Sequence, residues 1–555
     1  MAENVAAWHD RVIQPADASA IVQAYPQWQR MVAATAPVLP MDSVPADFDT
    51  LLVDSAGHAR VALRDGPAPG PADSADPLAW QLTEAAASLR RGRISSRELT
   101  SLSLQRLRDV HAVTNACVSV DDQKALAEAD RRDAASSGGG GVGVGSLHGI
   151  PMAHKDLFYR EGVDVGCGLR PRATRSHAFV GTAPVLLRLE AAGAVNCGRL
   201  HMTELAFEPS GANDELGPCR NPWNPAHVTG GSSSGSAAVV AARAVYAALG
   251  SDTGGSVRIP AALCGITGLK PTRGLVETSG AMPLSHSNDT IGPMARSAAD
   301  CALLMQAIVG GAGAPAGLVD SLRKTFAEVA GGRLAVLQGL RIGVPQGLFR
   351  DGIDAATAAV LEQSLAALQR MGAVLLPVPE LDWAAVNMAG AMLTRCETGA
   401  RLARLRMVGG VSPALLARFE EGLAIPASVY VQLLDERALC LRGFLQTVMA
   451  DVDVLHVPVC RIATPEIATL ARAGAEAATA RGELTVLNRP FNYLGVPSLA
   501  LPCGFAASAG GKPMPVGFQL VGRPYADADL LAVGAAWQAA TDWHRQAPVI
   551  AAEPG

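Results

Sequence analysis

From Leu147 onward, short apolar segments of strand composition alternate along the 555-residue chain with longer segments of helical composition. The clearest strand-like segments are residues 149–153, 194–198, 341–344, 374–377 and 454–459. Strands that alternate with helices usually form a sheet with helices packed on both faces. The alternation therefore predicts an α/β fold with a large mixed, mostly parallel central sheet covered by helices on both faces.

The N-terminal part of the chain does not follow this alternation. Apolar residues three to four apart predict a helix over 18–34, and two short strands are predicted over 51–63 around a Ser-Ala-Gly-His turn. The Pro- and Gly-rich stretch GPAPGPADSADP has the composition of a linker. Two roles stay open for what precedes it: covering an active-site mouth, or forming a homodimer contact. The sequence thus predicts a small N-terminal extension over 1–65, a linker over 66–77, one main domain over 78–545 and a tail over 546–555.

Composition and charge exclude several classes of protein. The net charge is −5, from 46 basic and 51 acidic residues without long runs, so nothing indicates binding to nucleic acid. Ten cysteines without a CxxC pair predict buried reduced thiols and no metal site. The start MAENVAAWHDRV has acidic residues where a signal peptide has basic ones, and no run of 18 apolar residues occurs. We therefore expect a cytoplasmic protein without a membrane partner.

The stretch from Thr229 to Pro271 is the candidate for chemistry. It contains two Gly-Gly-Ser units, which end at Ser232 and Ser256, and a segment of helical composition over 236–249 lies between them. Glycine weakens a helix or strand by about 0.5–1 kcal/mol. Two such turns make more sense if the backbone must come close to a reacting group.

Three readings of this stretch compete with the one favoured below. Residues 231–235 match the GxSxG nucleophile elbow, which points to Ser233, but a proline-rich loop precedes the motif where a strand should stand. A cysteine–histidine enzyme would use Cys264 or Cys503, yet both have the apolar neighbours of inert thiols. The glycines could also serve only as tight turns in a binding or scaffold protein.

The favoured reading joins the two serines to Lys155, at the end of the apolar segment GIPMAHKD. Such a lysine is either solvated at a strand end or held inside as a functional amine. Burial lowers the pKa of a lysine, because it disfavours the charged form, and this yields a usable neutral base. Ser232 would pass the proton of Ser256 to that amine, and the N–H groups of the turn from Thr253 would form an oxyanion hole.

At these residues the chain resembles the amidase signature family. The segments GGSSSGSAAVVAA and GSDTGGSVRIPAALCGITGLKPT are similar to its defining segment, and HGIPMAHKD, NPWNPAHVTGGSS, NDTIGPMARSAAD, FNYLGVPSLALPCG and MPVGFQLVGRPYADADLL are similar to its other motifs. The resemblance covers about residues 78–545. It departs at Thr229, where proline is common, in residues 1–77, and in the absence of the membrane anchor of lipid-amide relatives.

The resemblance implies roles for the matching residues. Ser256 would be the acylated nucleophile, Ser232 the bridging serine after a cis Gly231–Ser232 peptide, and Lys155 the base that later protonates the leaving amine. The implied oxyanion donors are the backbone N–H groups of Thr253, Gly254, Gly255 and Ser256.

Other matching positions carry less defined roles. Ser233 either orients Ser232 and its turn or caps the next helix, and Asp252 braces the oxyanion turn. Arg258 either holds a substrate carboxylate or pairs with an acid such as Asp252, and the ion pair is the favoured reading. Ala206 and Phe207 match a position that lines the acyl pocket, where a small alanine indicates room for a bulky acyl group.

Together these observations predict an amide hydrolase that acts through a Ser256 acyl-enzyme on small-molecule amides or on related anilides, carbamates or esters. No metal or organic cofactor is expected. The alternative within the family is the glutaminase subunit of a tRNA-dependent amidotransferase, against which the long extension and the helical region 380–450 argue. A catalytically silent scaffold is the alternative of another class, and the intact Lys/Ser/Ser set argues against it.

Overall fold

The computed structural model of the chain describes residues 46–56, 61–69, 74–137, 145–170, 181–311, 313–401, 410–471, 474–508 and 511–550. The helix predicted over 18–34 lies outside these ranges.

The centre of the fold is a mixed sheet of eleven strands in the order β10-β9-β11-β13-β12-β6-β7-β5-β3-β4-β2. The strands of the described ranges are β1 Leu63–Asp65, β2 Cys117–Val120, β3 Pro151–Lys155, β4 Val195–Leu200, β5 Ala247–Asp252, β6 Thr267–Lys270, β7 Thr290–Ala295, β8 Arg333–Ala335, β9 Arg341–Val344, β10 Val374–Pro377, β11 Val454–Pro458, β12 Ser498–Ala506 and β13 Met514–Val521. The predicted large mixed sheet is thereby confirmed.

The sheet is less parallel than predicted. Among the described strands, four neighbouring pairs are parallel, at β10–β9, β9–β11, β5–β3 and β3–β4, and the other six are antiparallel. A parallel connection needs a crossover of about a dozen residues or more. The segment between β12 and β13 is shorter than that, so these two strands form an antiparallel hairpin.

Helices cover both faces of the sheet. They are α1 Ala46–Asp54, α2 Leu82–Arg90, α3 Ser96–Thr114, α4 Asp122–Ser137, α5 Pro184–Ala191, α6 Ser234–Ala241, α7 Arg258–Cys264, α8 Ala298–Ile308, α9 Ala316–Ala330, α10 Ala355–Arg370, α11 Trp383–Gly399, α12 Pro413–Leu423, α13 Ala427–Gly443, α14 Ile467–Ala471, α15 Ala475–Thr485, α16 Arg489–Tyr493 and α17 Asp527–Ala540. Within the described ranges, no helix has both the length and the apolar character that crossing a bilayer requires.

Neighbouring strand residues belong to different hydrophobic clusters, as expected for side chains that alternate between two faces. Met152 packs in one cluster with α8, α9 and α17, and Ala153 packs in the other with α3, α4, α6 and α7. The second cluster consists largely of Ala, Val and Leu. Because most of these side chains are small, the helices on this face of the sheet, which include α6 and α7, pack close to the strands.

The N-terminal extension contains a helix where the first of the two strands over 51–63 was predicted. Helix α1 ends at Asp54 and includes only the first apolar residues of that segment, and Phe48 and Leu52, four residues apart, are buried on one side of it. Residues 57–60 of the segment lie outside the described ranges. The Arg437 guanidinium of α13 lies 4.0 Å from the centre of the Phe48 ring. The apolar run was therefore one face of a helix. The short strand β1 pairs with β8, and the boundary at 66–77 stays a prediction.

The helix predicted over 236–249 is also wrong in its second half. Helix α6 ends at Ala241, and the chain then enters β5, which lies between β3 and β7 with all six residues buried. A strand buried on both faces is a continuous apolar run, and such a run cannot be told from a helix by periodicity. This strand determines where the candidate site lies.

Candidate active site

The candidate site lies where two neighbouring parallel strands end. Lys155 is the last residue of β3, and β3 pairs in parallel with β5, which ends at Asp252. The turn that contains Ser256 connects β5 to α7, and Ser232 lies just before α6. The carboxyl ends of adjacent parallel strands share one edge of a sheet, and such edges carry ligand sites in open α/β folds.

The Lys155 side chain meets two serine hydroxyls inside the protein. Its Nζ donates to Ser232 Oγ at 2.6 Å and to Ser251 Oγ at 2.9 Å. Lys155 is 1% exposed and Ser232 is fully buried. The Gly231–Ser232 peptide is cis, as the resemblance implies. Of the two readings of Lys155, the structure therefore supports the amine held inside.

Burial controls the charge of this amine. It lowers the pKa of Lys155 from 10.5 to about 7, against the opposing pull of the Asp252 and Asp289 carboxylates. Near neutral pH a large fraction of Lys155 is therefore the free amine, which can accept a proton from Ser232. This is the protonation state that a general base needs.

Ser233 acts on a neighbouring backbone rather than on the helix that follows it. Its Oγ accepts from Ser251 N and donates to Ser251 O, both at 3.3 Å, and it makes no capping hydrogen bond to α6. Its N–H donates to Ser256 O at 3.3 Å, which ties the two Gly-Gly-Ser turns together. The capping reading of Ser233 is therefore not what the structure shows.

Ser256 lies at the boundary between this buried network and open space. It is half-buried, and its hydroxyl makes no hydrogen bond to any described residue. The link from Ser256 to Ser232 therefore stays a prediction. Ser256 lines the cavity described below, and a nucleophile needs such an accessible position in order to reach a substrate carbonyl.

The oxyanion turn offers fewer free backbone N–H groups than the resemblance implies. The N–H of Gly255 donates to Asp252 Oδ1 at 2.8 Å, so this group is already used inside the protein. The N–H groups of Thr253, Gly254 and Ser256 have no partner among the described residues. The Thr253 hydroxyl donates to Asp289 Oδ1 at 2.6 Å. Thr253, Gly254 and Ser256 are thus the candidates for holding an oxyanion, with Gly255 as part of the frame.

Asp252 is the centre of that frame. Its carboxylate accepts from the N–H groups of Gly255 and Val257 and from Asn492 Nδ2 at 2.8 Å, and it pairs with Arg258 at 3.0 Å. Burial raises the pKa of Asp252, but the Arg258 ion pair and these hydrogen bonds outweigh burial and hold that pKa far below its usual range. A permanently ionised Asp252 therefore braces the turn, as predicted.

Arg258 has the structural role that was the favoured reading. Both side chains of the pair are fully buried, and Arg258 also donates to Gln519 Oε1 at 2.8 Å and to Asn492 Oδ1 at 2.6 Å. It does not line the cavity described below. The reading in which Arg258 holds a substrate carboxylate therefore has no support in the geometry.

A cavity of about 300 Å³ opens onto Ser256. Ala206 and Phe207 line it together with residues of the oxyanion turn, as the resemblance implies, and the Phe207 ring packs edge-to-face on Phe419 with ring centres 5.2 Å apart. The helices contribute Thr394 and Arg395 from α11, Arg418 and Glu421 from α12, Arg481 and Thr485 from α15, and Arg489 from α16. A larger cavity of about 750 Å³ beside α1 contains none of the three predicted catalytic residues.

Sequence reasoning missed Ser251 and the cavity arginines. Ser251 lies within the segment GSDTGGSVRIPAALCGITGLKPT that carries the resemblance, but the sequence assigned it no role. Arg395, Arg418, Arg481 and Arg489 come from four helices that the signature segment does not contain. Only the placement of β5 and of these helices brings them to the site.

The cysteine–histidine reading is weakened by burial. Cys264 and Cys503 are both buried, and burial raises the pKa of each thiol above its usual value. Neither is therefore a ready nucleophile. Across the described ranges, no group of three or more His, Cys, Asp or Glu side chains is arranged to hold a metal ion.

Comparison with known proteins gives consistent matches over most of the chain. The family model described as Amidase matches residues 98–531. The A subunit of glutamyl-tRNA(Gln) amidotransferase from Moorella thermoacetica is 36% identical over 497 residues, which are 83% of this chain and 96% of that protein. A crystal structure of an amidase is 32% identical with a TM-score of 0.71, covering 83% of this chain and 99% of its own. The corresponding amidotransferase subunit of Thermotoga maritima is 26% identical with a TM-score of 0.62, covering 83% and 94%.

Proposed function

The chain belongs to the amidase signature family, a family of hydrolases of carbon–nitrogen bonds, and on that premise we propose that it hydrolyses a carboxylic amide through an acyl-enzyme on Ser256. The observation that carries the proposal is the pair of hydrogen bonds that joins buried Lys155 to Ser232 and Ser251 beside the Ser256 turn.

In the proposed first half-reaction, Ser232 passes the Ser256 proton to the Lys155 amine while Ser256 Oγ attacks the amide carbon. The carbonyl oxygen becomes negative and is held by the free N–H groups among those of Thr253, Gly254 and Ser256. Removing one such donor typically costs about 10²–10³ in rate. Lys155 then returns the proton through Ser232 to the amide nitrogen, the carbon–nitrogen bond breaks, and ammonia or an amine leaves.

In the proposed second half-reaction, water takes the place of the leaving amine. The same Lys155–Ser232 pair accepts its proton as it attacks the acyl carbon. The bond to Ser256 Oγ breaks, the proton returns to Ser256, and the carboxylic acid is released. Each amide thus consumes one water molecule.

Whether the chain catalyses this reaction within a multi-subunit enzyme or as a stand-alone enzyme, here called the setting of the reaction, is a separate proposal. Glutaminase activity within a multi-subunit amidotransferase is the better supported setting, because the curated relatives, 34–36% identical over 83–85% of this chain, carry the name of that enzyme's A subunit. This reverses the preference that the sequence alone indicated. A stand-alone amidase is the second candidate, since the amidase structure superposes with the higher TM-score, 0.71 against 0.62 for the Thermotoga maritima protein.

One assay separates the two settings. Ammonia release is measured from glutamine and from butyramide, with the purified chain alone and with the remaining amidotransferase subunits of its own organism. The amidotransferase setting predicts glutamine hydrolysis that rises when the other subunits are added. Hydrolysis of butyramide by the chain alone, unchanged by those subunits, supports the stand-alone enzyme.

The serine nucleophile is tested in the same assay. Ser256→Ala should abolish turnover of the better substrate, whereas Ser287→Ala, which removes a buried hydroxyl outside the triad, should keep it. Full activity of Ser256→Ala would show that another group attacks.

A further inference from the structure

We propose that helix α1 of the N-terminal extension positions the oxyanion turn, and that Arg437 of α13 carries this effect from Phe48 to the turn. The inference rests on the proposed amide hydrolysis at Ser256. Helix α1 ends at Asp54, whereas the match to the family model begins at residue 98. Positioning the turn is therefore a role that the matched region does not supply, and it is a third role for the extension beside the two that the sequence left open.

Arg437 is held inside the protein by backbone carbonyls. It is 2% exposed, and its guanidinium donates to Ser287 O at 2.8 Å, to Asn492 O at 3.0 Å and to Tyr493 O. Burial, with a smaller effect of Arg273, lowers the pKa of Arg437 to about 9. A buried guanidinium must satisfy its N–H donors within the protein, so Arg437 fixes the three carbonyls that it contacts.

Phe48 shields this guanidinium from water. The Arg437 guanidinium lies over the Phe48 ring, 4.0 Å from its centre. The ring is buried, and a Cβ on Gly495 would lie 2.9 Å from Phe48 Cζ, so the ring packs tightly against the backbone that follows α16. A cation–π contact is strongest where the cation is desolvated. Without the ring, water would compete with the carbonyls for the Arg437 donors.

The first connection from Arg437 to the oxyanion turn passes through α16. Asn492, whose carbonyl accepts from Arg437, donates its Nδ2 to Asp252 Oδ1 at 2.8 Å and to Asp252 O at 3.1 Å. Asp252 Oδ1 accepts in turn from the N–H of Gly255 at 2.8 Å. A shift of Asn492 therefore moves the carboxylate that holds the centre of the turn.

The second connection passes through the loop of residues 284–289. Arg437 donates to Ser287 O in this loop. Two residues later, Asp289 Oδ1 accepts from the Thr253 hydroxyl at 2.6 Å, at the start of the oxyanion turn. One guanidinium therefore contacts both segments that hold the turn in place.

The effect of α1 on the reaction is expected in kcat. The described side chains of α1 do not line the cavity that contains Ser256, so they do not contact the substrate. The oxyanion forms only after the nucleophile attacks, and a contact made only in the transition state changes kcat rather than KM. Loss of a whole oxyanion donor costs about 10²–10³ in rate, so a displaced turn should lose about tenfold.

The test compares two replacements of a buried phenylalanine by leucine. Phe48→Leu removes the ring over Arg437, and kcat for the better of glutamine and butyramide should fall about tenfold, while KM stays within about twofold. Phe326→Leu is the matched control, because Phe326 is fully buried in α9, which contributes no residue to the cavity. It should destabilise the protein similarly and leave kcat unchanged. A kcat of Phe48→Leu within about twofold of wild type would overturn the inference.

A double variant tests whether the effect of Phe48 passes through Arg437. Arg437→Lys keeps the charge but loses the planar fork of donors, and it should lower kcat by about 10- to 100-fold. Adding Phe48→Leu to Arg437→Lys should then lower kcat by less than about twofold more, because the two changes act on one connection. Effects on kcat that multiply would overturn the assignment to Arg437.

Hydrogen exchange separates failure of this inference from failure of the proposed reaction. Mass spectrometry follows the amides of residues 252–257, where the N–H groups of Gly255 and Val257 donate to Asp252. Exchange there should be at least about threefold faster in Phe48→Leu than in Phe326→Leu. If this difference is found but the wild-type protein cleaves no amide, the reaction fails and the inference stands. Equal exchange in the two variants would overturn the inference, whether or not an amide is cleaved.

Discussion

The pKa of Lys155 should determine the pH range in which this enzyme works. Burial lowers that pKa from 10.5 to about 7, and only the neutral amine can accept the proton of Ser232. Below about pH 7 the amine is protonated, so kcat/KM should fall about tenfold for each unit of pH. Above about pH 7 the amine is free, and kcat/KM should level off.

The size of the effect on activity at neutral pH follows from the size of the pKa shift of Lys155. A change from 10.5 to about 7 is roughly 3.5 units, or about 5 kcal/mol at 1.36 kcal/mol per unit. With its ordinary pKa, about one Lys155 side chain in 3,000 would be neutral at pH 7. With a pKa of about 7, about half of them are. Burial thus raises the fraction of competent enzyme at neutral pH by about three orders of magnitude.

The assay is kcat/KM for a substrate that has no titrating group, such as butyramide, between about pH 5 and about pH 9. Lys270→Met is the matched control, because Lys270 is also fully buried and burial lowers its pKa to about 7, yet among the described residues its Nζ donates only to Pro271 O, at 3.0 Å. The fall of kcat/KM below about pH 7, the acid limb of the profile, should persist in Lys270→Met. In Lys155→Met, kcat/KM should fall by about 10²–10⁴ and the limb should disappear from the residual activity.

Two results would refute this reasoning. One is an acid limb that survives unchanged in Lys155→Met. The other is a midpoint near pH 6 that Asp289→Asn removes, because burial raises the pKa of Asp289 to about 6 and this carboxylate would then be the titrating group.

Three further predictions concern stability, and chemical denaturation checks each. Gly255→Ala should lower the free energy of unfolding by about 2–4 kcal/mol, because the φ of Gly255 is +119° and an added Cβ would approach neighbouring side chains to 2.7 Å. Gly254→Ala should cost less than about 1 kcal/mol, because the nearest atom to a Cβ there is 3.9 Å away. Equal losses in the two variants would contradict the turn geometry. Asp252→Asn should cost about 3–5 kcal/mol, since Arg258 is left buried without its counter-charge, and a loss below about 1 kcal/mol would contradict that account. Phe48→Ala should cost about 3–5 kcal/mol and make the segment before residue 56 sensitive to protease; an unchanged digestion pattern would mean that this helix contributes little.

The elements with strong local signals were predictable from the sequence. The helix that starts after Ser95 has a complete capping box with Glu98, and strand β10 has the predicted bounds of residues 374–377. In both cases local chemistry and tertiary packing favour the same structure. Where composition alone was used, as for the alanine-rich β5 and the apolar face of α1, the sequence could not decide between helix and strand.

The features of the candidate site likewise divide into those that the sequence predicted and those that it could not predict. Lys155, Ser232 and Ser256 were named from residue chemistry and resemblance, and the structure brings the first two into contact. The use of the Gly255 N–H by Asp252 could not be foreseen, because it depends on the exact path of the turn. The charge of the cavity could not be foreseen either, since Arg418 and Arg489 line the same cavity only after helices distant in sequence have packed together.

Location of the acyl group on the protein tests the central claim most directly. The wild-type protein is mixed with p-nitrophenyl butanoate, quenched in acid within the first turnover, digested and analysed by mass spectrometry. We expect a butanoyl group on the peptide that contains Ser256, none in Ser256→Ala, and slower formation in Lys155→Met. A butanoyl group on Ser232 or Lys155, or turnover without any acylated peptide, would contradict the proposed acyl-enzyme.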